Sequence, residues 1–155
     1  MSGREPGSFE RVLDAEGVLV YRIEGISMLP LLRQKRDIVV ITKPQGRLKK
    51  YDVALYRRQT GNYVLHRVVK VTDSGYVIRG DNLFFDETDI TDNEIVGVLS
   101  RFRRRGREYS VNALSYRLYA RLWVGTYRLR RFLRLAKGFL TEGLWVHLRR
   151  KLKRK

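Results

Sequence analysis

Residues Tyr63-Val64-Leu65-His66-Arg67-Val68-Val69-Lys70-Val71 form the stretch that most clearly predicts a β fold. The stretch is rich in β-branched side chains, and turn residues flank it, with Gly61-Asn62 before it and Asp73-Ser74-Gly75 after it. Short apolar runs separated by turn signals continue in both directions. They predict further strands over residues 17–27, 37–41, 51–56, 76–79 and 94–99, the last continuing toward residue 103. This pattern favours a mainly β fold, either a barrel or a folded sheet.

Helical segments are predicted on both sides of the β region. Ser8 is placed to cap a short helix over residues 9–16, which Gly17 would end. Beyond Ser110 the apolar spacing becomes helical, and Gly138 and Gly143 are expected to interrupt that helix. The predicted division is therefore a helical lead-in (1–16), a β domain (17–104) and a basic amphipathic helical region (105–155).

Three kinds of side chain recur in separate helical stripes of the C-terminal region. The first stripe is mainly apolar and consists of Leu114, Leu118, Leu122, Gly125, Leu129, Phe132, Leu133 and Ala136. The second is basic and consists of Arg117, Arg121, Arg128 and Arg131. The third is aromatic and consists of Tyr116, Tyr119, Trp123 and Tyr127. Either the leucine stripe packs on the β domain with the arginines solvated, or the helix binds a membrane surface.

Charge is distributed very unevenly along the 155-residue chain. The part before Arg101 has 15 basic and 14 acidic residues, whereas the part from Arg101 onward has 18 basic and 2 acidic ones. A nearly neutral domain followed by a strongly basic region predicts an anionic partner. An anionic membrane surface is the favoured candidate, and nucleic acid is the second.

The composition also limits the chemistry that is available. The chain has no cysteine, which excludes disulfides, thiolate metal sites and a cysteine nucleophile. Its two histidines, His66 and His147, are too few for a histidine-rich metal site, and no cofactor is expected. No signal-peptide pattern and no apolar run of about 20 residues is visible in the sequence. These features predict a cytoplasmic protein, with peripheral binding at the inner membrane face as a candidate location.

Four short motifs occur in order along the β region. They are Gly25-Ile26-Ser27-Met28-Leu29-Pro30, Arg36-Asp37-Ile38-Val39-Val40, Leu65-His66-Arg67-Val68-Val69 and Ile78-Arg79-Gly80-Asp81-Asn82. Together they resemble the signal peptidase I family, within the superfamily that also contains the self-cleaving repressors. The resemblance covers residues 18–99, and Arg36 stands where that family usually has glycine. Several ordered motifs with compatible spacing are far more specific than any one of them.

The resemblance implies a serine peptidase with a signal-peptidase-like fold. The usual bacterial base is lysine, so His66 indicates the archaeal and endoplasmic-reticulum subtype, which uses Ser and His with a downstream Asp. Ser27 would then attack the scissile carbonyl, and His66 would accept its proton. Asp81 or Asp86 would orient the imidazole, and a shift of one residue in the alignment would bring Glu87 to that position. Asp81 has an alternative role in capping turn N–H groups.

Other assignments follow from the same comparison. The backbone N–H of Ser27 is a candidate oxyanion donor. Arg67 is expected to form a structural ion pair, and His147 is assigned to a helix face without a catalytic partner. The family implies a peptide that adds as a strand beside the Ser27 strand and carries small side chains into a shallow pocket.

The sequence differs from the signal peptidase I family in one respect, and this difference leaves two alternative functions to consider. Ordinary signal peptidases are anchored by transmembrane helices, and no such segment is recognised in this sequence. The chain is therefore not expected to process secretory preproteins in the usual way. One alternative is a non-catalytic or self-cleaving regulator that binds nucleic acid through its basic region. Another is a membrane-surface adaptor with a vestigial site. The oligomeric state is not predicted.

Overall fold

A single antiparallel sheet of eight strands forms the centre of the protein. The computed structural model describes residues 8–137. The strands are β1 (Val18–Arg22), β2 (Ile38–Thr42), β3 (Val53–Arg57), β4 (Tyr63–Val71), β5 (Tyr76–Arg79), β6 (Glu87–Ile90), β7 (Ile95–Arg104) and β8 (Arg107–Ser110). Their order is β1-β2-β7-β3-β4-β5-β6, with β8 paired to β7, and the sheet does not close. The prediction of a mainly β fold is confirmed, and the sheet is open and does not form a closed barrel.

Three helices lie outside the sheet within the described residues. They are α1 (Ser8–Glu16), α2 (Leu114–Gly125) and α3, which spans residues 127–137. A short 3₁₀ turn, Asp92–Glu94, precedes β7. The expected breaks at Gly138 and Gly143, and His147 with the basic run that follows it, lie outside the described residues.

Two hydrophobic clusters cover opposite faces of the central strand β3. Leu55 packs in the larger cluster together with Leu13 of α1, whereas Ala54 and Tyr56 pack in the smaller cluster. Successive strand residues point to opposite faces, so a strand that is buried on both sides is apolar at nearly every position. The predicted and observed bounds of β3, β4, β5 and β7 therefore agree closely.

The sequence missed the strands whose side chains are mostly polar. No strand is predicted between residues 79 and 94, but Glu87–Ile90 pairs with β5 as an edge strand. The basic helical region is predicted to begin at residue 105, but Arg107–Ser110 pairs with β7 as strand β8. Polar edge strands bury one face at most, so apolar periodicity does not reveal them. The predicted strand over residues 17–27 is shorter in the structure and ends at Arg22.

The C-terminal helices pack against the sheet with their aromatic stripe. Tyr116 and Tyr119 contact the larger hydrophobic cluster, and Ala120, next to Tyr119 in the chain, is buried. The leucine stripe stays exposed, so the arrangement in which leucines pack on the β domain is wrong for residues 114–137. Periodicity identified both stripes, but it contains no information about which of them faces the sheet.

Candidate active site

Ser27 lies in the turn that follows β1. Met28 beside it is buried in the larger cluster, while Ile26 is exposed, so the chain passes from solvent into the core at this serine. The carbonyl oxygen of Ser27 accepts a hydrogen bond of 2.8 Å from the backbone N–H of Asn82. That bond ties the turn to the loop of residues 80–84, which we call the 80–84 loop. The bond to Asn82 holds Ser27 in place, and because the residue is only half-buried it remains accessible from solvent.

His66 is the buried imidazole of this region, with 2% of its surface exposed. It lies on β4 opposite Ala54 of β3, so two paired strands fix its position. Its Nδ1 atom lies 3.1 Å from Oε1 of Glu87 and 3.3 Å from the hydroxyl of Tyr56. With Nδ1 protonated and directed at the carboxylate, this network favours the tautomer whose Nε2 lone pair is free to accept a proton.

Nε2 of His66 faces the Ser27 turn across Gly80. A Cβ atom built on Gly80 would lie 2.8 Å from the carbonyl oxygen of Ser27 and 3.0 Å from Nε2 of His66. Glycine therefore permits the close approach of the serine turn and the imidazole. The structure shows no hydrogen bond between Ser27 Oγ and Nε2, but both residues line one cavity of about 300 Å³. Such bonds commonly shorten only when substrate is bound.

Glu87 is the carboxylate that contacts His66. Arg58 holds it with two hydrogen bonds, of 2.9 Å from Nε and 2.6 Å from a terminal nitrogen. Burial raises the pKa of Glu87, but the hydrogen bonds from Arg58 and Tyr56 and the charge of Arg58 outweigh it, and the net pKa is below its ordinary value. Glu87 is therefore ionised at neutral pH and presents a negative charge to the imidazole.

Burial controls the protonation of His66. It lowers the pKa of the imidazole, and the negative charge and hydrogen bond of Glu87 raise it by a smaller amount. The net pKa is below the ordinary histidine value of about 6.5. The imidazole is consequently neutral at pH 7, which is the form that acts as a general base.

Asp81 bonds to Arg67 instead of His66. Two hydrogen bonds of 2.7 Å join its carboxylate to the guanidinium of Arg67, and both side chains are almost fully buried. His66 and Arg67 are consecutive on β4 and therefore point to opposite faces of the sheet. Each has its own carboxylate there, Glu87 for the imidazole and Asp81 for the guanidinium. The expected ion-pair role of Arg67 is what the structure shows.

Asp86 does not contact the imidazole either. Its carboxylate pairs with Arg79 at the surface. Of the three acidic residues that the sequence brought into consideration, Glu87 is the one with an atom at hydrogen-bond distance from His66. The pairing of β6 with β5 brings it there, since Glu87 lies opposite Ile78. Because β6 was not predicted, the sequence did not distinguish Glu87 from its neighbour.

Arg36, which stands where the signal peptidase I motif usually has glycine, forms an ion pair with Asp37 in the turn before β2. Asp37 is fully buried and accepts hydrogen bonds from the side chain of Arg36 and from the backbone N–H of Arg33, the latter of 2.9 Å. Burial raises the pKa of Asp37, and the bonds from Arg36 and Arg33 lower it to below its ordinary value. The ionised carboxylate stabilises the turn of residues 33–37, which lies between the Ser27 turn and β2.

A cleft leads along β1 to the serine. A cavity of about 600 Å³ is bounded by Tyr21 and Ile23 on one side and by Tyr63 and Leu65 on the other. It shares Ile23, Tyr63 and Leu65 with the smaller cavity that contains Ser27 and His66. β1 pairs with β2 along one edge and with no other strand within residues 8–137. Its free edge therefore offers unpaired backbone groups at the entrance to the site.

The aromatic stripe of α2 and α3 holds the 80–84 loop from the other side. Trp123 donates its indole N–H to the carbonyl oxygen of Asp81 at 2.9 Å, and Tyr127 donates to the carbonyl oxygen of Phe84 at 2.9 Å. The Tyr119 hydroxyl donates to the Asp81 carboxylate at 3.2 Å. These contacts connect the helices through the 80–84 loop to Ser27.

Comparisons with known proteins found no relative of this chain. No family model matches the chain, and no curated protein or solved structure is significantly similar to it. Among residues 8–137 there is no group of three or more histidine or acidic residues suited to hold a metal ion. In the same range no helix is both long and apolar enough to cross a bilayer.

Proposed function

We propose that this protein is a serine endopeptidase in which Ser27 is the nucleophile, His66 the general base and Glu87 the residue that orients His66. The placement of His66 carries the proposal. Its Nδ1 atom faces an ionised carboxylate, and its Nε2 atom faces the serine turn. Signal peptidase I-like enzymes of the Ser–His type remain the family that the motifs resemble, and a signal-peptidase-like fold is part of the proposal.

The proposed reaction proceeds through an acyl-enzyme. Neutral His66 accepts the hydroxyl proton of Ser27 while Oγ attacks the scissile carbonyl carbon. The imidazolium then donates that proton to the amine of the leaving peptide, and Glu87 stabilises the positive charge in the interval. Water next gives a proton to His66 while its oxygen attacks the ester carbonyl carbon. His66 then returns that proton to Oγ as the C–O bond breaks, which releases the second product and restores the Ser27 hydroxyl.

The backbone supplies a donor for the oxyanion. Within residues 8–137 the N–H of Ser27 donates to no backbone acceptor, so it is available to the developing negative charge. The carbonyl of the same residue is bound to Asn82, which fixes the orientation of the adjacent peptide units.

The proposed substrate is an extended peptide that pairs with the free edge of β1. β1 leads from the cleft to the Ser27 turn, so an added strand would bring a peptide bond toward Oγ. Apolar and aromatic walls formed by Ile23, Tyr63 and Leu65 suit apolar side chains of the substrate. The preference for small side chains next to the scissile bond is implied by the family resemblance.

A peptide library analysed by mass spectrometry tests the proposal. We expect the wild-type chain to cleave a subset of extended peptides, and Ser27→Ala and His66→Ala each to lose at least about 1,000-fold in kcat/KM. Ser74→Ala, at an exposed turn, is the matched control and should cleave like the wild type. Equal cleavage by all four proteins, or none by the wild type, would contradict the proposal.

A further inference from the structure

The side of α2 and α3 turned away from the sheet presents a continuous apolar stripe. Its large side chains are between 50% and 68% exposed. They are Leu114, Leu118, Leu122, Leu129, Phe132 and Leu133. Spacings of three and four residues place them within about 100° of arc on a helix, with Gly125 among them. An exposed apolar patch of this length in an otherwise well-packed domain indicates a contact surface.

The stripe keeps its alignment from one helix to the next. The backbone N–H of Thr126 donates to the carbonyl of Leu122, and the N–H of Arg130 donates to the carbonyl of Thr126, both at 2.9 Å. Helical hydrogen bonding therefore continues across the junction. The opposite, aromatic side is fixed by the bonds of Trp123 and Tyr127 to the 80–84 loop, so the helices cannot rotate to bury the leucines without breaking those bonds.

Arginines border the apolar stripe along one side. Arg117, Arg121, Arg128 and Arg131 are exposed, and the sequence contains no acidic residue between Glu108 and Glu142. The surface thus combines a row of leucines with a row of unopposed positive charges. That combination is typical of helices that lie in the interface of an anionic bilayer.

We propose that α2 and α3 bind the surface of an anionic membrane through this stripe, with the leucines and Phe132 inserted among the acyl chains and the arginines at the phosphate level. A second copy of the chain fits less well, because the arginine rows would have no acidic partners across the seam. Antiparallel pairing of the leucines would place the two rows on the same side, and parallel pairing would leave one row on each side. Nucleic acid would contact the arginines but leave the leucines in water. The 80–84 loop, on the other side of the helices, would lie about 10 Å from the bilayer surface.

Vesicle co-sedimentation tests this proposal with the full chain. We expect binding to vesicles of equal parts phosphatidylcholine and phosphatidylglycerol to be at least about 10-fold tighter than to phosphatidylcholine alone. The variant Leu118→Gln/Leu122→Gln/Leu129→Gln should bind the anionic vesicles about 100-fold more weakly. Its matched control, with methionine at the same three positions, should bind like the wild type. Arg117→Gln/Arg121→Gln/Arg128→Gln should have a weaker preference for anionic lipid than the wild type, whereas the lysine versions should retain the wild-type preference.

Several results would overturn the proposal. One is undiminished vesicle binding by the glutamine variant of the three leucines, since other basic residues would then be responsible. Another is a concentration-dependent dimer that the glutamine variant abolishes, with no vesicle binding by the wild type. A third is salt-sensitive binding to duplex DNA without vesicle binding. Membrane binding does not require Ser27, so Ser27→Ala should sediment with vesicles like the wild type even where it has lost proteolysis.

Discussion

Replacing Glu87 by glutamine tests the assignment of the third catalytic residue. The substitution keeps the size of the side chain but removes its charge, which lies 3.1 Å from Nδ1 of His66. Two unit charges about 4 Å apart interact by about 4 kcal/mol at an effective dielectric constant of about 20. Arg58 neutralises part of that charge at 2.6 Å, so we expect about 2–3 kcal/mol to be lost from the transition state, in which His66 is positively charged. That loss corresponds to a decrease of about 100-fold in kcat/KM.

The assay compares kcat/KM of Glu87→Gln with that of Asp86→Asn on the same peptide. Asp86→Asn makes the same chemical change one residue away, on a carboxylate that pairs with Arg79, and should stay within about three-fold of the wild type. Glu87 also raises the pKa of His66, so its loss should move the acid limb of the pH profile to lower pH. A strong loss in Asp86→Asn with none in Glu87→Gln would refute the assignment.

Three further predictions concern the residues around this pair. Asp81→Asn leaves the guanidinium of Arg67 buried without a carboxylate and should lower the free energy of unfolding by about 3–5 kcal/mol, measured by urea denaturation. Gly80→Ala introduces a Cβ within 3.0 Å of the Ser27 carbonyl oxygen and of His66 Nε2. Because this displaces the serine turn from the imidazole, kcat/KM should fall at least about 10-fold, while the circular dichroism spectrum stays unchanged. The wild-type kcat/KM should fall only as the pH drops below about 6.5, because the pKa of His66 is lowered; an acid limb above that value would contradict the effect of burial.

Acid should also destabilise the fold through His66. The unfolded imidazole takes up its proton near pH 6.5, whereas the buried imidazole, with its lower pKa, does not. The stabilising contribution is thus complete above about pH 6.5 and decreases as the pH falls from there to the pKa of the folded state. The wild type should lose stability over that range relative to His66→Gln, and parallel curves would contradict this linkage.

The sequence predicted the strands whose burial determines their composition. β3 and β4 are apolar because both faces of the sheet are covered there, and their bounds follow from that pattern. β6 and β8 are polar edge strands, so nothing in their composition distinguishes them from loops. The same difference separates the residues of the candidate site. Motifs identify Ser27 and His66 in the sequence, whereas Glu87 lies close to His66 only because β6 pairs with β5.

The two carboxylates near β4 illustrate what a motif leaves undetermined. The motif Gly80-Asp81-Asn82 made Asp81 a candidate partner for His66. Strand alternation directs Arg67 to the face of the sheet opposite His66, and Asp81 pairs with the guanidinium on that face. For the consecutive residues His66 and Arg67, strand alternation alone indicates that one carboxylate does not contact both side chains. It does not indicate which residue supplies the second one.

Labelling with a fluorophosphonate probe, followed by mass spectrometry, shows whether Ser27 is an activated nucleophile, because the probe reacts with an activated serine whatever the natural substrate is. We expect one adduct, mapped to Ser27, whose rate of formation falls at least about 10-fold in His66→Ala and is unchanged in Ser74→Ala. An unlabelled Ser27, or a Ser27 labelled equally fast in His66→Ala, would contradict the claim that His66 activates Ser27.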